Sequence, residues 1–78
     1  MAVYGVRIMR NGSPVVGAEV IMIGERVRGV TGSDGIVSTD LGSVTQNIGV
    51  HLIIVESTGQ IGIGPLKLQG GVTLDVGV

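Results

Sequence analysis

The groups in this 78-residue chain that carry acid, base or nucleophilic chemistry are one histidine, six carboxylates and five serines. A nucleophilic site needs a nucleophile, a base and a group that orients the base. His51 is the only imidazole, and it stands between Val50 and Leu52 in the most apolar stretch of the chain. It reads as a histidine at the edge of the core or in an interface. A Ser–His–Asp set can be written on paper, but no Gly-x-Ser-x-Gly turn presents a serine. Asp34 and Asp40 bracket a short segment and, with Ser33, Ser38 or Thr39, could hold calcium. Calcium loops space their oxygen ligands more densely. Asp34 therefore reads as turn chemistry, and Ser38 and Asp40 as solvated polar positions. With no cysteine and one histidine, the chain has no thiolate site and cannot build a zinc site alone. Gly59-Gln60-Ile61-Gly62-Ile63-Gly64 has the glycine content of a phosphate loop, but no helix signal and no Gly-Lys-Thr follow it. Gly62 and Gly64 fall on one face of a strand, where they leave room for a neighbouring backbone or an apolar side chain. The reading is a non-enzyme, with no catalytic residue, no metal ligand and no cofactor.

The elements that hold these residues are short strands. Turn clusters stand at Asn11-Gly12-Ser13-Pro14, Ser33-Asp34-Gly35, Ser57-Thr58-Gly59-Gln60 and Gln69-Gly70-Gly71. Between them the sequence predicts strands over Ala2–Arg10, Ala18–Ile23, Val27–Thr31, Ile36–Asp40, Gly49–Glu56, Ile61–Leu68 and Val72–Val76. No segment keeps a 3.6-residue period over a helical length. The expectation is all-β: one domain over residues 1–78, a small Ig-like or transthyretin-like sandwich of about seven short strands.

Composition narrows the function classes. Hydrophobic residues make up 44% and charged residues 14%, against about 25% charged in an ordinary domain. Mean hydropathy is +0.59. Fifteen glycines punctuate the chain, and Tyr4 is its only aromatic residue. A net charge of −1 with scattered Arg and Lys gives no basic patch, and no row of aromatics accompanies it, so nucleic acid is set aside. No apolar run approaches the roughly 20 residues of a membrane helix, and the first ten residues do not read as a signal peptide. Arg7, Arg10, Arg26 and Arg28 match Glu19, Glu25 and Glu56 in number and are candidates for pairing across strands. Gly24–Gly29 reads as a charged hairpin tip, the least core-like segment.

A half-buried strand should alternate apolar and polar residues. Val72, Leu74 and Val76 alternate with Thr73, Asp75 and Gly77, but Val20–Ile23 and Val50–Val55 are apolar on both phases. In a two-layer sandwich, apolar side chains on the outer phase need a cover, and a second copy is the simplest one. The expected self-association residues are Tyr4, Val6, Ile8, Val50, Leu52, Ile54, Val72, Leu74 and Val76. Strand addition by Ala2–Met9 or Val72–Val78 is one route.

Val6-Arg7-Ile8, then Asn11-Gly12-Ser13-Pro14-Val15-Val16-Gly17-Ala18-Glu19-Val20, then Gly29-Val30-Thr31-Gly32-Ser33-Asp34-Gly35-Ile36-Val37 resembles the carboxypeptidase regulatory-like domains, which belong with transthyretin-like (prealbumin-like) β-sandwiches. The resemblance covers about residues 6–40. Pro14, Gly17, Asp34 and Gly35 are its structural turn positions. The family's Pro-Gly-x-Tyr element has no counterpart in Thr45–Leu52. Such domains are structural or binding units, so the resemblance implies an extracellular or cell-surface role, and a self-associating subunit could also belong to a virion-associated assembly. The expected function is a non-catalytic structural subunit whose partners are copies of itself, in a homo-oligomer or filament. The alternative is an adhesion or accessory module that binds protein or carbohydrate.

Overall fold

The computed structural model describes residues 3–25, 27–41 and 47–78. Ala2, Arg26 and the Thr45-Gln46 pair, which entered the sequence reading, lie outside them. Eight strands form among the described residues, and no helix does. They are β1 (Val3–Arg10), β2 (Ser13–Pro14), β3 (Glu19–Ile23), β4 (Val27–Val30), β5 (Ile36–Asp40), β6 (Ile48–Glu56), β7 (Gly59–Leu68) and β8 (Thr73–Gly77). The expected all-β sandwich is present. The eighth strand is β2, two residues inside what reads as a turn cluster. Asn11 (φ 53°) and Gly12 (φ 81°) take the two positive-φ positions of a two-residue hairpin loop, so Ser13 and Pro14 fold straight back onto Arg10 and Met9.

The strands divide into two sheets. In the first, β1 is central: β5 and then β2 run antiparallel along one edge, and β8 runs parallel along the other. The second is fully antiparallel, in the order β4-β3-β6-β7. At about 4.8 Å per strand, the first sheet is three strands wide and the second four. On one side the sheets close tightly. A Cβ on Gly29 of β4 would come within 2.8 Å of Val37 Cγ1 on β5, so glycine is what lets these outer strands touch. A three-strand layer aligned there cannot reach across four strands, and β7 overhangs.

Strand phase decides what is core. Tyr4, Val6 and Ile8 of β1, Val20 and Met22 of β3, and Val50, Leu52 and Ile54 of β6 are all at most 1% exposed. Val37, Leu68 and Val76 join them. Seven of the nine expected self-association residues are therefore interior: Tyr4, Val6, Ile8, Val50, Leu52, Ile54 and Val76. Leu74 is half-buried against the same core, and Val72 is exposed in the loop before β8. The correction has a simple cause. These residues form the inner phase of their strands, and the outward phase is the opposite one.

Polar groups pin the crossings between sheets. Thr31 is the one buried polar residue among those described. Its Oγ1 accepts the Ala18 N–H at 2.9 Å, its own N–H donates to Ala18 O, and its carbonyl accepts the Gly17 N–H. Gly17 sits at φ +76°, so the chain leaves one sheet and enters the other through this clip. At the next crossing Asp34 Oδ1 accepts the Ile36 N–H at 3.0 Å, the turn role expected of it. Gly35 (φ +77°) lies so close to β1 that a Cβ would stand 2.7 Å from Ile8 O. Thr31→Val keeps the shape and removes the acceptor, leaving a buried N–H unpaired. Urea unfolding should show a loss of about 1–3 kcal/mol, and Thr31→Ser should retain most of the stability.

Candidate functional site

Alternation along each strand assigns the outer faces. On the first sheet, β1 sends out Val3, Gly5, Arg7 and Met9, β5 sends out Ile36, Ser38 and Asp40, and β8 sends out Thr73, Asp75 and Gly77. This face is largely polar. On the second sheet, β3 sends out Glu19, Ile21 and Ile23, and β4 sends out Arg28 and Val30. From β6 come Gly49, His51, Ile53 and Val55, and from β7 Gln60 and Gly62. Ile21 stands opposite Ile53, and Ile53 opposite Gly62. Ile23 is 49% and Val30 63% exposed. An apolar stripe thus runs over the outside of the second sheet, with charge toward its ends: the corner where Arg28 Nε lies 3.8 Å from Glu19 Oε2, and Lys67 opposite Gly49.

Beside the stripe lies a shallow groove of ≈370 Å³. Ile23, His51 and Ile53 wall it, and Gly62 and Gly64 line it on the β7 side. A side chain at Gly62 would meet nothing within 4 Å, so its backbone is open to an approaching group. The pairing of β6 with β7 slips by one residue between Val50–Leu66 and Leu52–Ile63, which bulges β7 at Gly64-Pro65 opposite His51. A Cβ on Gly64 (φ +143°) would stand 2.9 Å from His51 Nδ1. This glycine is required by a close approach within the chain, and Gly62 is the one that leaves space for another molecule.

Among the described residues, His51, Asp34 and Asp40 do not come together. His51 is exposed on the apolar face. Asp34 caps its own turn, and Asp40 lies at the far end of β5 on the other sheet. Among the described residues, no three of His, Cys, Asp and Glu stand close enough together to hold a metal ion. Pro14 occupies the β1–β2 hairpin, and Gly17 and Gly35 occupy the crossings described above. Of the expected hairpin tip Gly24–Gly29, residues from Val27 onward belong to β4, which begins where the sequence predicts a strand, and Arg26 lies outside the described residues.

Two bidentate ion pairs lie elsewhere. Arg7 and Asp75 face each other across the parallel β1–β8 pair, at 2.8 and 3.0 Å. Arg10 and Glu56 meet at 2.9 and 2.6 Å. Both belong to the inner phase of their strands, and they join the end of β1 to the end of β6, tying sheet to sheet at the mouth of the sandwich.

Compared with protein-family models, curated proteins and solved structures, the chain matches none. Its function must therefore be read from its own surfaces.

The ion pairs set an acid limit. Hydrogen bonds from Arg10 hold the Glu56 carboxyl below its ordinary range, and those from Arg7 do the same for Asp75. A carboxyl depressed by folding stabilises above its unfolded pKa, and that contribution is lost as pH falls through its folded value. Thermal midpoints should therefore decline on acidification through and below the usual carboxylate range. In Glu56→Gln that decline should be shallower, measured by circular dichroism at fixed ionic strength.

Proposed function

We propose that the chain is a non-catalytic structural subunit that assembles with copies of itself through the apolar outer face of the second sheet. The observation that carries this reading is the contrast between the two outer faces. One presents Arg7, Asp75, Ser38, Asp40 and Thr73 with Val3, Met9 and Ile36 among them, and the other presents Ile21, Ile23, Ile53, Val55 and Val30 with Glu19, Arg28, His51 and Lys67 around them. Contiguous apolar surface on a small domain marks an interaction site. The chain's accessible surface is 4579 Å², close to the roughly 4400 Å² of an ordinary folded monomer of this mass.

Size agrees with a second copy. The molecule measures 36 × 21 × 17 Å, and a broad side on the order of 750 Å² approaches the ~800 Å² that each partner gives to a standard interface. Energy sets a limit. The five side chains, worth about 1.5–3 kcal/mol each on full burial, are already partly covered by their neighbours or the sheet. Their remaining contribution only offsets an association cost of about 4–15 kcal/mol. Assembly through this face is therefore weak and dependent on concentration unless a second contact adds to it.

The resemblance to carboxypeptidase regulatory-like domains favours a location outside a cell or at its surface, and a self-associating subunit would serve there, or on a virion, as a closed oligomer or a filament. It also allows an accessory binding module. Sugar recognition commonly uses an exposed ring, and Tyr4 is fully buried, so the face suits an apolar protein surface better than a glycan.

Light scattering across a dilution series, with negative-stain imaging, tests the reading. The particle mass should rise with concentration. Ile21→Lys combined with Ile53→Lys should raise the concentration needed by at least tenfold and leave the β-sheet spectrum unchanged. A wild-type protein that stays monomeric into the millimolar range overturns it.

A further inference from the structure

We propose that two copies join their second sheets by pairing the Gly59–Ile63 half of β7 antiparallel across a two-fold axis at Ile61. This rests on the self-association reading and names the second contact that it requires.

Of the four sheet edges, three are guarded. β4 and β5 lie against each other on the closed side of the sandwich, where Gly29 meets Val37. β8 is short and carries Asp75, which is held by Arg7. The Gly64–Leu68 half of β7 has a bulge, a proline and Lys67, three devices that stop an edge from pairing. The Gly59–Ile63 half has no charge, no proline and no bulge. It is also the overhanging part of the wider sheet. Ile61 faces inward, opposite Ile54, yet is 39% exposed, because the three-strand layer does not reach it.

The segment suits itself. With Ile61 on the axis, Ile61 stands directly against Ile61 of the second copy on the inner side, and the two side chains cover each other's exposed flank. Gln60 then lies opposite Gly62 of the second copy on the outer side, where the missing side chain gives the amide room. Such an isologous contact closes as a dimer. It yields an eight-stranded sheet whose outer apolar stripe is twice as wide.

The chain has no cysteine, so Ile61→Cys introduces a single thiol. Opposed residues of a non-hydrogen-bonded antiparallel pair have Cα atoms about 4.5 Å apart, within disulfide reach. Under mild oxidation at low micromolar concentration, Ile61→Cys should convert to a linked, folded dimer. The rate should be at least tenfold faster than for Val16→Cys, whose site is 62% exposed in the loop before β3. Ile61→Lys should keep the β-sheet spectrum and lose the dimer. Equal crosslinking at the two sites, or wild-type association by Ile61→Lys, overturns the β7 contact. If Ile21→Lys with Ile53→Lys still disperses the assembly in that case, the face reading stands without it. A wild-type monomer at all concentrations removes both.

Discussion

A two-layer sandwich has one shared interior, and the unequal widths of its layers decide which strands can be covered. Here three strand positions pack under four. Closure begins on the side where Gly29 lets β4 approach β5, so the shortfall falls wholly on β7. Ile61, Ile63 and Leu66 point inward but remain partly open, whereas Val50, Leu52 and Ile54 on the inward phase of the neighbouring β6 are at most 1% exposed. The exposure of β7 follows from this arithmetic of layers and not from weak hydrophobicity in its sequence.

Width also explains where the polar clips stand. A thin aliphatic layer cannot hold unpaired polar groups, so the crossings carry them at its rim. Thr31 satisfies the backbone where the chain passes from the first sheet to the second. Arg10 and Glu56 do comparable work with charge at the mouth, where solvent still reaches both side chains. Bidentate geometry fixes the relative position of β1 and β6, which are the central strand of one sheet and an inner strand of the other. Register within each sheet is set by strand pairing, and these contacts set one sheet against the other.

Much of this is legible in the sequence. The turn clusters locate the strands closely, and Asp34-Gly35 behaves as its chemistry requires. The faces are harder to read, because Val50–Val55 is apolar on both phases and hydrophobicity alone does not choose between them. A different signal does. Most strands carry a polar residue on the phase that faces outward: Arg7 in β1, Glu19 in β3, Arg28 in β4, Asp40 in β5, His51 in β6, Lys67 in β7 and Asp75 in β8. His51 alone would have assigned Ile53 and Val55 to the outside and Val50, Leu52 and Ile54 to the core. The bulge at Gly64-Pro65 had no such marker. It depends on a backbone approach to His51 that only the paired strands create, and the overhang of β7 depends on counting strands in both sheets at once.

The high apolar content of the chain then acquires a location. One interior layer has room for the inward phase of each strand and no more, and with Tyr4 as its only ring it is filled by aliphatic side chains and one methionine. Aliphatic residues beyond that capacity must face out, and they are not spread evenly. The first sheet surrounds its exposed residues with Arg7, Asp75, Ser38 and Asp40, which keeps that side wet. The second sheet gathers Ile21, Ile23, Ile53 and Val55 beside glycines that add no bulk. A surplus imposed only by composition would be shared between the two faces. The outward aliphatic residues of the second sheet lie next to the one unguarded edge, and this is the arrangement on which the proposed self-association rests.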